Sequence, residues 1–207
     1  ANEKKTTNTH LHILEAYTNL YRVWKDRLLE SKLRNLVNLF LDNIVDPVSN
    51  HLLLFFDEKW QSKSSLISYG HDIEASWLIL EGALALGDQE LTAKVKPVCT
   101  SLAIASMEGL QKDGSLIYEK DDAEGILDTD RHWWPQAEAM AGLMNLYEMT
   151  SREIYLSQAV HCWNFIRNKL VDRKNGEWYW SIRADGSINL TDDKAGFWKC
   201  PYHNTRA

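Results

Sequence analysis

The chain has 207 residues, 44% hydrophobic and 25% charged, the balance of a soluble globular protein with enough chain for one sizeable domain. A net charge of −6 offers no basic patch for nucleic acid, no apolar run reaches a membrane span, and the opening ANEKKTTNTH lacks the apolar core of an export signal. Three scattered cysteines (Cys99, Cys162 and Cys200) suit neither a disulfide framework nor a zinc site, and are expected to be free thiols of the cytoplasm.

Helical periodicity runs through most of the chain. The first helix is predicted at about 11–25. The second lies in SKLRNLVNLFLDNIVDP, where Leu33, Leu36, Val37, Phe40, Leu41 and Ile44 share one face and Pro47 ends the run. LLLFFDEKWQSKSSLISYG then reads as a short hairpin connector. A helix apolar around most of its circumference follows at about 71–87, and a one-faced helix at about 90–110. SLIYEK is the next connector, before another all-round apolar helix at 133–149 and another one-faced helix at 152–171. The helix at about 11–25 is read as the same all-round kind, and these three are expected to be buried on several sides. In the last connector, GEWYWSIRADGSINL, Asp185 and Gly186 supply a turn.

Three of these helices open alike, with HLHILEAYTNLY, GHDIEASWLIL and WWPQAEAMAGLM. Their Glu-Ala pairs fall at 15–16, 74–75 and 138–139, a repeat of about 60 residues in which each unit is an inner helix, an outer helix and a connector. Inner helices that are apolar nearly all round favour a closed ring of hairpins, so the predicted fold is all-α, an α/α barrel. Three hairpins make roughly half such a ring. Residues 1–207 are therefore expected to be a single domain and the C-terminal portion of a longer protein.

The residues able to do chemistry gather where the inner helices begin. His71, Glu74 and Trp77 form one slanted strip, and His12 and Glu15 repeat its spacing. Trp134 and Glu138 stand four apart on one face behind Pro135. Asp72 lies on another face in the first turn, where a carboxylate suits the helix dipole, and reads as structural. His203 sits in the aromatic stretch WKCPYHN. If the helix starts converge on the ring axis, these groups share one cleft. Histidine titrates near neutrality and a neighbouring carboxylate can orient it, so two histidines on opposite faces of a substrate carbon could remove and return a proton. Two rivals use the same residue types: a metal centre, although the spacing reverses the Glu-x-x-His of bundle di-metal sites, and glycoside hydrolysis by paired carboxylates. No phosphate-binding glycine loop and no nucleophile elbow occur.

The segments NTHLHILEAYTNLYR, GHDIEASWL, RHWWPQAEAM, GEWYW and WKCPYHN, in this order and over nearly the whole chain, resemble the N-acylglucosamine 2-epimerase superfamily, most closely its branch acting on cellobiose and related disaccharides. The resemblance implies an (α/α)6 barrel of which a comparable N-terminal portion and a short C-terminal stretch are expected to be absent here. It implies inversion at C2 of the reducing-end glucose of β-1,4-linked disaccharides through a cis-enediol, with no metal or nucleotide cofactor. On the same basis His71 and His203 match the acid/base pair, and His12 matches a third active-site histidine that assists ring opening. His10, two residues away, faces elsewhere. Glu74 would orient His71 or contact a sugar hydroxyl, and Glu138 would bind hydroxyls at the reducing end. Trp77 and Trp134 would pack on sugar rings, and Trp198 of WKCPYHN joins the substrate-binding set. The family site also draws an arginine and aromatics from the N-terminal half, so the isolated chain is expected to be inactive or weakly active. The remaining alternatives are an N-acylglucosamine epimerase, an aldose–ketose isomerase or glycosidase on the same barrel, and a non-catalytic protein-binding member.

Overall fold

The computed structural model describes residues 4–207, and six long helices dominate it. Strand β1 (Lys5–Thr6) leads into α1 (Thr7–Val23), and α2 (Arg27–Leu39) returns. After strands β2 (Phe55–Phe56) and β3 (Ile67–Ser68) come α3 (Tyr69–Leu86) and α4 (Gln89–Ser106). Strands β4 (Glu119–Asp121), β5 (Ile126–Asp128) and β6 (Arg131–His132) precede α5 (Trp133–Thr150) and α6 (Glu153–Phe165), and β7 (Ser181–Ile182) lies in the last connector.

Local chemistry places the helix ends. Asp26 caps α2 by accepting from the Leu28 and Leu29 amides, and Asp88 caps α4 through the Leu91 amide. Gly87 ends α3 at φ 69°, a left-handed cap that glycine adopts without cost. The predicted stripe of the second helix is real: Leu33, Val37, Phe40 and Ile44 are all fully buried. The stripe stays in register because the last turn is wider, with the Val45 amide donating to Phe40 five residues back. The chain leaves the helix there, two residues before Pro47. The outer helix α6 ends with the same wide turn, Val171 donating to Ile166.

Helices α1, α3 and α5 lie side by side as an inner layer, and α2, α4 and α6 cover them from outside. Twelve of the eighteen residues of α3 and nine of the eighteen of α5 are buried, against three of the thirteen of α2. Helix α1 departs from the expected many-sided burial: only five of its seventeen residues are buried, because α3 and α2 cover it on two sides alone. Two apolar clusters meet at α3, one built with α1, α2 and α4 and the other with α5 and α6. Truncating Phe40 at the centre of the first would cost about 3–5 kcal/mol. The arrangement is the expected half ring of three hairpins. Its flanks carry exposed apolar groups, Val23, Trp24 and Leu28 at one edge and Val160 and Trp163 at the other.

The connectors are more interleaved than a set of local hairpins. The strand before each inner helix pairs antiparallel with a strand after the next outer helix: β1 with β2, β3 with β4, and β6 with β7. Locally closed pairs also occur, among them β4 with β5 and the turn at Gly186, where Ile182 faces Ile188. Two-residue strands carry no alternation long enough to be read from sequence.

A second tie recurs. Asp72, buried in the first turns of α3, accepts from the Leu52 amide at 2.8 Å and faces His51 Nδ1 at 2.6 Å. Gln136 of α5 does the equivalent work, accepting from the Leu116 amide at 2.8 Å and donating to the Leu116 carbonyl at 2.7 Å. The structural reading of Asp72 holds, but its main partners are a connector amide and a histidine rather than the helix dipole alone. Burial opposes a charge on His51, yet Asp72 and Glu108 outweigh it and raise its pKa above the ordinary 6.5.

Candidate active site

The cleft opens where the short strands feed α1, α3 and α5. It has a volume of about 500 Å³ and is walled by His12, His71, Glu74, Trp133, Trp134, Trp198, Tyr202 and His203, with Tyr118, His132 and Trp180 on its aromatic side. A smaller groove of about 250 Å³ between Met140, Met144, Val160 and Trp163 is apolar and holds no proton-transfer group.

Trp134 lies between the two principal histidines. Its ring centroid is 4.8 Å from that of His71 and 5.6 Å from that of His203. It can settle against α3 because residue 70 is glycine: a Cβ there would meet the indole at 2.5 Å. His71 Nδ1 contacts Ser68 Oγ at 2.8 Å, so the hydroxyl one turn earlier orients this ring, not Glu74. Burial, then the nearby His12 and His203, push the His71 pKa down to about 4, leaving a neutral imidazole across the neutral range. His203 Nδ1 pairs with Glu138 Oε1 at 2.6 Å. His12 lies 3.4 Å from the Tyr202 hydroxyl and 3.8 Å from Glu15.

Beneath the histidines lies a cage of carboxylates. Glu74 and Glu138 are buried and Glu15 is half-buried. Arg206 stands among them, its Nη1 3.2 Å from Glu74 and 2.8 Å from Glu138, while its Nη2 donates to Glu15. Burial raises the Glu74 pKa well above the usual carboxylate value, and the neighbouring Glu138 raises it further against the opposing pull of Arg206. Burial works the same way on Glu15, but His12, Tyr202 and Arg206 beside it outweigh burial and hold this carboxyl at about 2. Glu74, Glu138 and His203 each bring one donor atom within 4.8 Å of the others, a spacing open to a metal ion, and the Arg206 guanidinium contacts both carboxylates of that set.

Trp77 and Glu138 do not line the cleft. The Trp77 indole donates to Glu138 Oε2 at 3.1 Å, which places it behind the carboxylate, and Trp198 is exposed at the mouth. His10 turns away, its Nδ1 on the Thr6 carbonyl and its ring against Trp60. Sequence reading left out Ser68, Tyr202 and Arg206. For Arg206 a signal existed, since it follows His203 by the three residues that separate His12 from Glu15 and His71 from Glu74.

The terminal segment that carries these groups is itself anchored. The fully buried Lys199 ammonium bonds Glu177 at 2.8 Å and the carbonyls of Trp178 and Lys194, while Asn204 reaches the same Glu177 at 2.5 Å.

Stacked helical hairpins with a histidine-and-carboxylate cleft at the inner helix starts define this chain as part of an α/α barrel. The family model for N-acylglucosamine 2-epimerase (GlcNAc 2-epimerase) matches residues 1–207, and the chain belongs to that family. It is 57% identical over 206 residues to a cellobiose 2-epimerase of Bacteroides fragilis, covering 100% of this chain and 53% of the relative. A Dictyoglomus turgidum cellobiose 2-epimerase is 39% identical, over 98% of this chain and 52% of its own length. Among solved structures, cellobiose 2-epimerase from Bacillus thermoamylovorans superposes with a TM-score of 0.91 at 44% identity, covering 99% of this chain and 52% of the other. The chain thus spans about half the length of the curated relatives it matches. Among the described residues no helix is long and apolar enough to cross a membrane.

Proposed function

We propose that residues 1–207 form the C-terminal half of an (α/α)6 barrel that epimerises the reducing-end glucose of β-1,4-linked disaccharides at C2, taking cellobiose to glucosyl-mannose in the cytoplasm. The observation that carries the reading is the placing of His71 and His203 against the same Trp134 ring. A sugar stacked there would meet one histidine on each side, and flat apolar faces suit that stacking. His12 assists ring opening to the aldehyde, with Tyr202 beside it. One histidine takes the C2 proton, and the electron pair moves into C1–C2 to leave a cis-enediolate. After rotation the other histidine returns a proton to the opposite face of C2, so nothing is oxidised or reduced and no metal or nucleotide is required.

The supporting roles follow from position. His71, neutral above about pH 4, suits a base, and Ser68 holds its Nδ1 so that Nε2 serves the cleft. Glu138 orients His203, and Trp77 orients Glu138. Glu74, exposed to the cleft by one edge, receives a sugar hydroxyl. Trp134 carries the reducing-end ring and Trp198 the distal one.

Incubating the intact protein with cellobiose in D2O tests this reading. Glucosyl-mannose with deuterium at C2 is the expected product. A keto-sugar product would mean that the proton returns to C1 and the protein is an aldose–ketose isomerase. Free glucose would indicate hydrolysis, and no product with no label would refute catalysis. The half barrel alone should turn over weakly or not at all.

A further inference from the structure

The terminal segment brings in a guanidinium that none of these roles uses. The Thr205 amide bonds back to the Pro201 carbonyl at 3.2 Å and the Arg206 amide to the His203 carbonyl at 3.1 Å, the start of a helical turn. That turn puts Arg206 where the first two units carry Glu15 and Glu74, three residues beyond a cleft histidine. Three units therefore present carboxylates to the axis and the terminal turn presents a cation.

The fit is close on every side. Nη1 meets Glu74 and Glu138, and Nη2 meets Glu15. The Tyr202 ring lies 4.1 Å from the guanidinium carbon and the Trp77 ring 5.1 Å from it, both within cation–π range. Glu138 Oε1 receives Arg206 Nη1 at 2.8 Å and His203 Nδ1 at 2.6 Å, so a single oxygen joins the cation to the histidine. Carboxylates this close and this buried cannot all remain charged without a cation, and a planar fork with several donors serves several of them at once.

We infer that Arg206 is the built-in counter-cation of this cage and a positioning residue for proton transfer. It fixes Glu138 Oε1 in place as the shared acceptor, which holds His203 by Nδ1 and leaves Nε2 to work in the cleft. The kinetic consequence rests on the epimerase reading; the cage does not.

Arg206→Ala in the intact protein leaves a guanidinium-sized gap. About 20 mM guanidinium chloride, far below denaturing strength, should raise the melting temperature of this variant and leave the wild type unmoved, while equal sodium chloride or urea does neither. No response in the variant, or an equal response in the wild type, overturns the inference. If Arg206→Ala does not fold, Arg206→Lys should, because it keeps the charge, and loss of the fold in both also overturns it.

In kinetics, Arg206→Ala should lower kcat for C2 exchange about tenfold or more, leave KM within about threefold, and be rescued by guanidinium. The acid limb of its pH profile should move to higher pH, because buried Glu74 then keeps its proton longer. The other groups facing the cage are Glu15 and His12 of α1, His71 of α3, Glu138 of α5, and Tyr202 and His203 of the segment itself. A slower enzyme with an unmoved acid limb would show a merely structural arginine and overturn the positioning role. A guanidinium response in a protein that exchanges no C2 proton would uphold the cage and refute the epimerase reading.

Discussion

Each of the inner helices α3 and α5 carries two polar residues two positions apart that do opposite work. Asp72 and Gln136 turn outward to the connectors and are satisfied largely by backbone groups at fixed places. Glu74 and Glu138 turn to the axis, where side chains alone satisfy them: an arginine, a histidine and an indole. Residue type does not separate the two sets, since His51–Asp72 and His203–Glu138 both close at 2.6 Å. What differs is the remaining atoms. Asp72 spends its second oxygen on an amide, whereas the His203 ring lines an open cleft. A buried ion pair tied to backbone is a fastener; the same pair tied to side chains, beside a cavity, can change partners.

Several substitutions could break this division. The largest effect is expected for His203→Ala and His71→Ala, each losing about 10²–10⁴-fold in C2 deuterium exchange, read by NMR, with the melting temperature little changed. Asp72→Ala should do the reverse. It strands His51 and the Leu52 amide, costs about 3 kcal/mol or more, and lowers the melting temperature by roughly 10 °C, while the molecules still folded keep their turnover. Comparable losses of turnover in Asp72→Ala at a permissive temperature would erase the distinction.

Glu74→Gln sharpens it. An acid whose folded pKa is raised costs stability once the pH exceeds its ordinary value of 4.5, because folding must then either bury the charge or hold the proton. The variant should therefore melt a few degrees higher than wild type at pH 7, with the gap closing toward pH 4, and exchange C2 protons more slowly. A lower melting temperature at pH 7 would place Glu74 with the fasteners. The smallest effect is expected for Trp198→Ala at the exposed mouth, a rise of about two- to fivefold in KM for the disaccharide with kcat unchanged.

Much of this was legible in the sequence because helical periodicity is long-range and redundant. The all-round apolar α3 and α5 and the one-faced stripe of Leu33, Val37, Phe40 and Ile44 each repeat their signal over several turns. The convergence of His12, His71 and His203 on one cleft was legible too, from the sixty-residue spacing and the family resemblance. The strand pairings were not, because two residues carry no pattern. Ser68 was missed because a serine before a helix reads as a cap, yet this one makes no cap and binds the His71 ring instead. The resemblance offered Glu74 either as the support of His71 or as a contact to a sugar hydroxyl, and neither motif nor spacing shows that an arginine 132 residues away pairs with it.

Gly70 has a consequence beyond packing. The indole of Trp134 rests where a methyl group would have to be, so a missing atom sets the depth of the cleft floor. A platform held in this way has a built-in gauge. Restoring the methyl with Gly70→Ala would push Trp134 off α3 and narrow the cleft, pressing the indole on the His71 and His203 rings that rest against it. Sugars of different thickness could thus be sorted at a position that touches none of them.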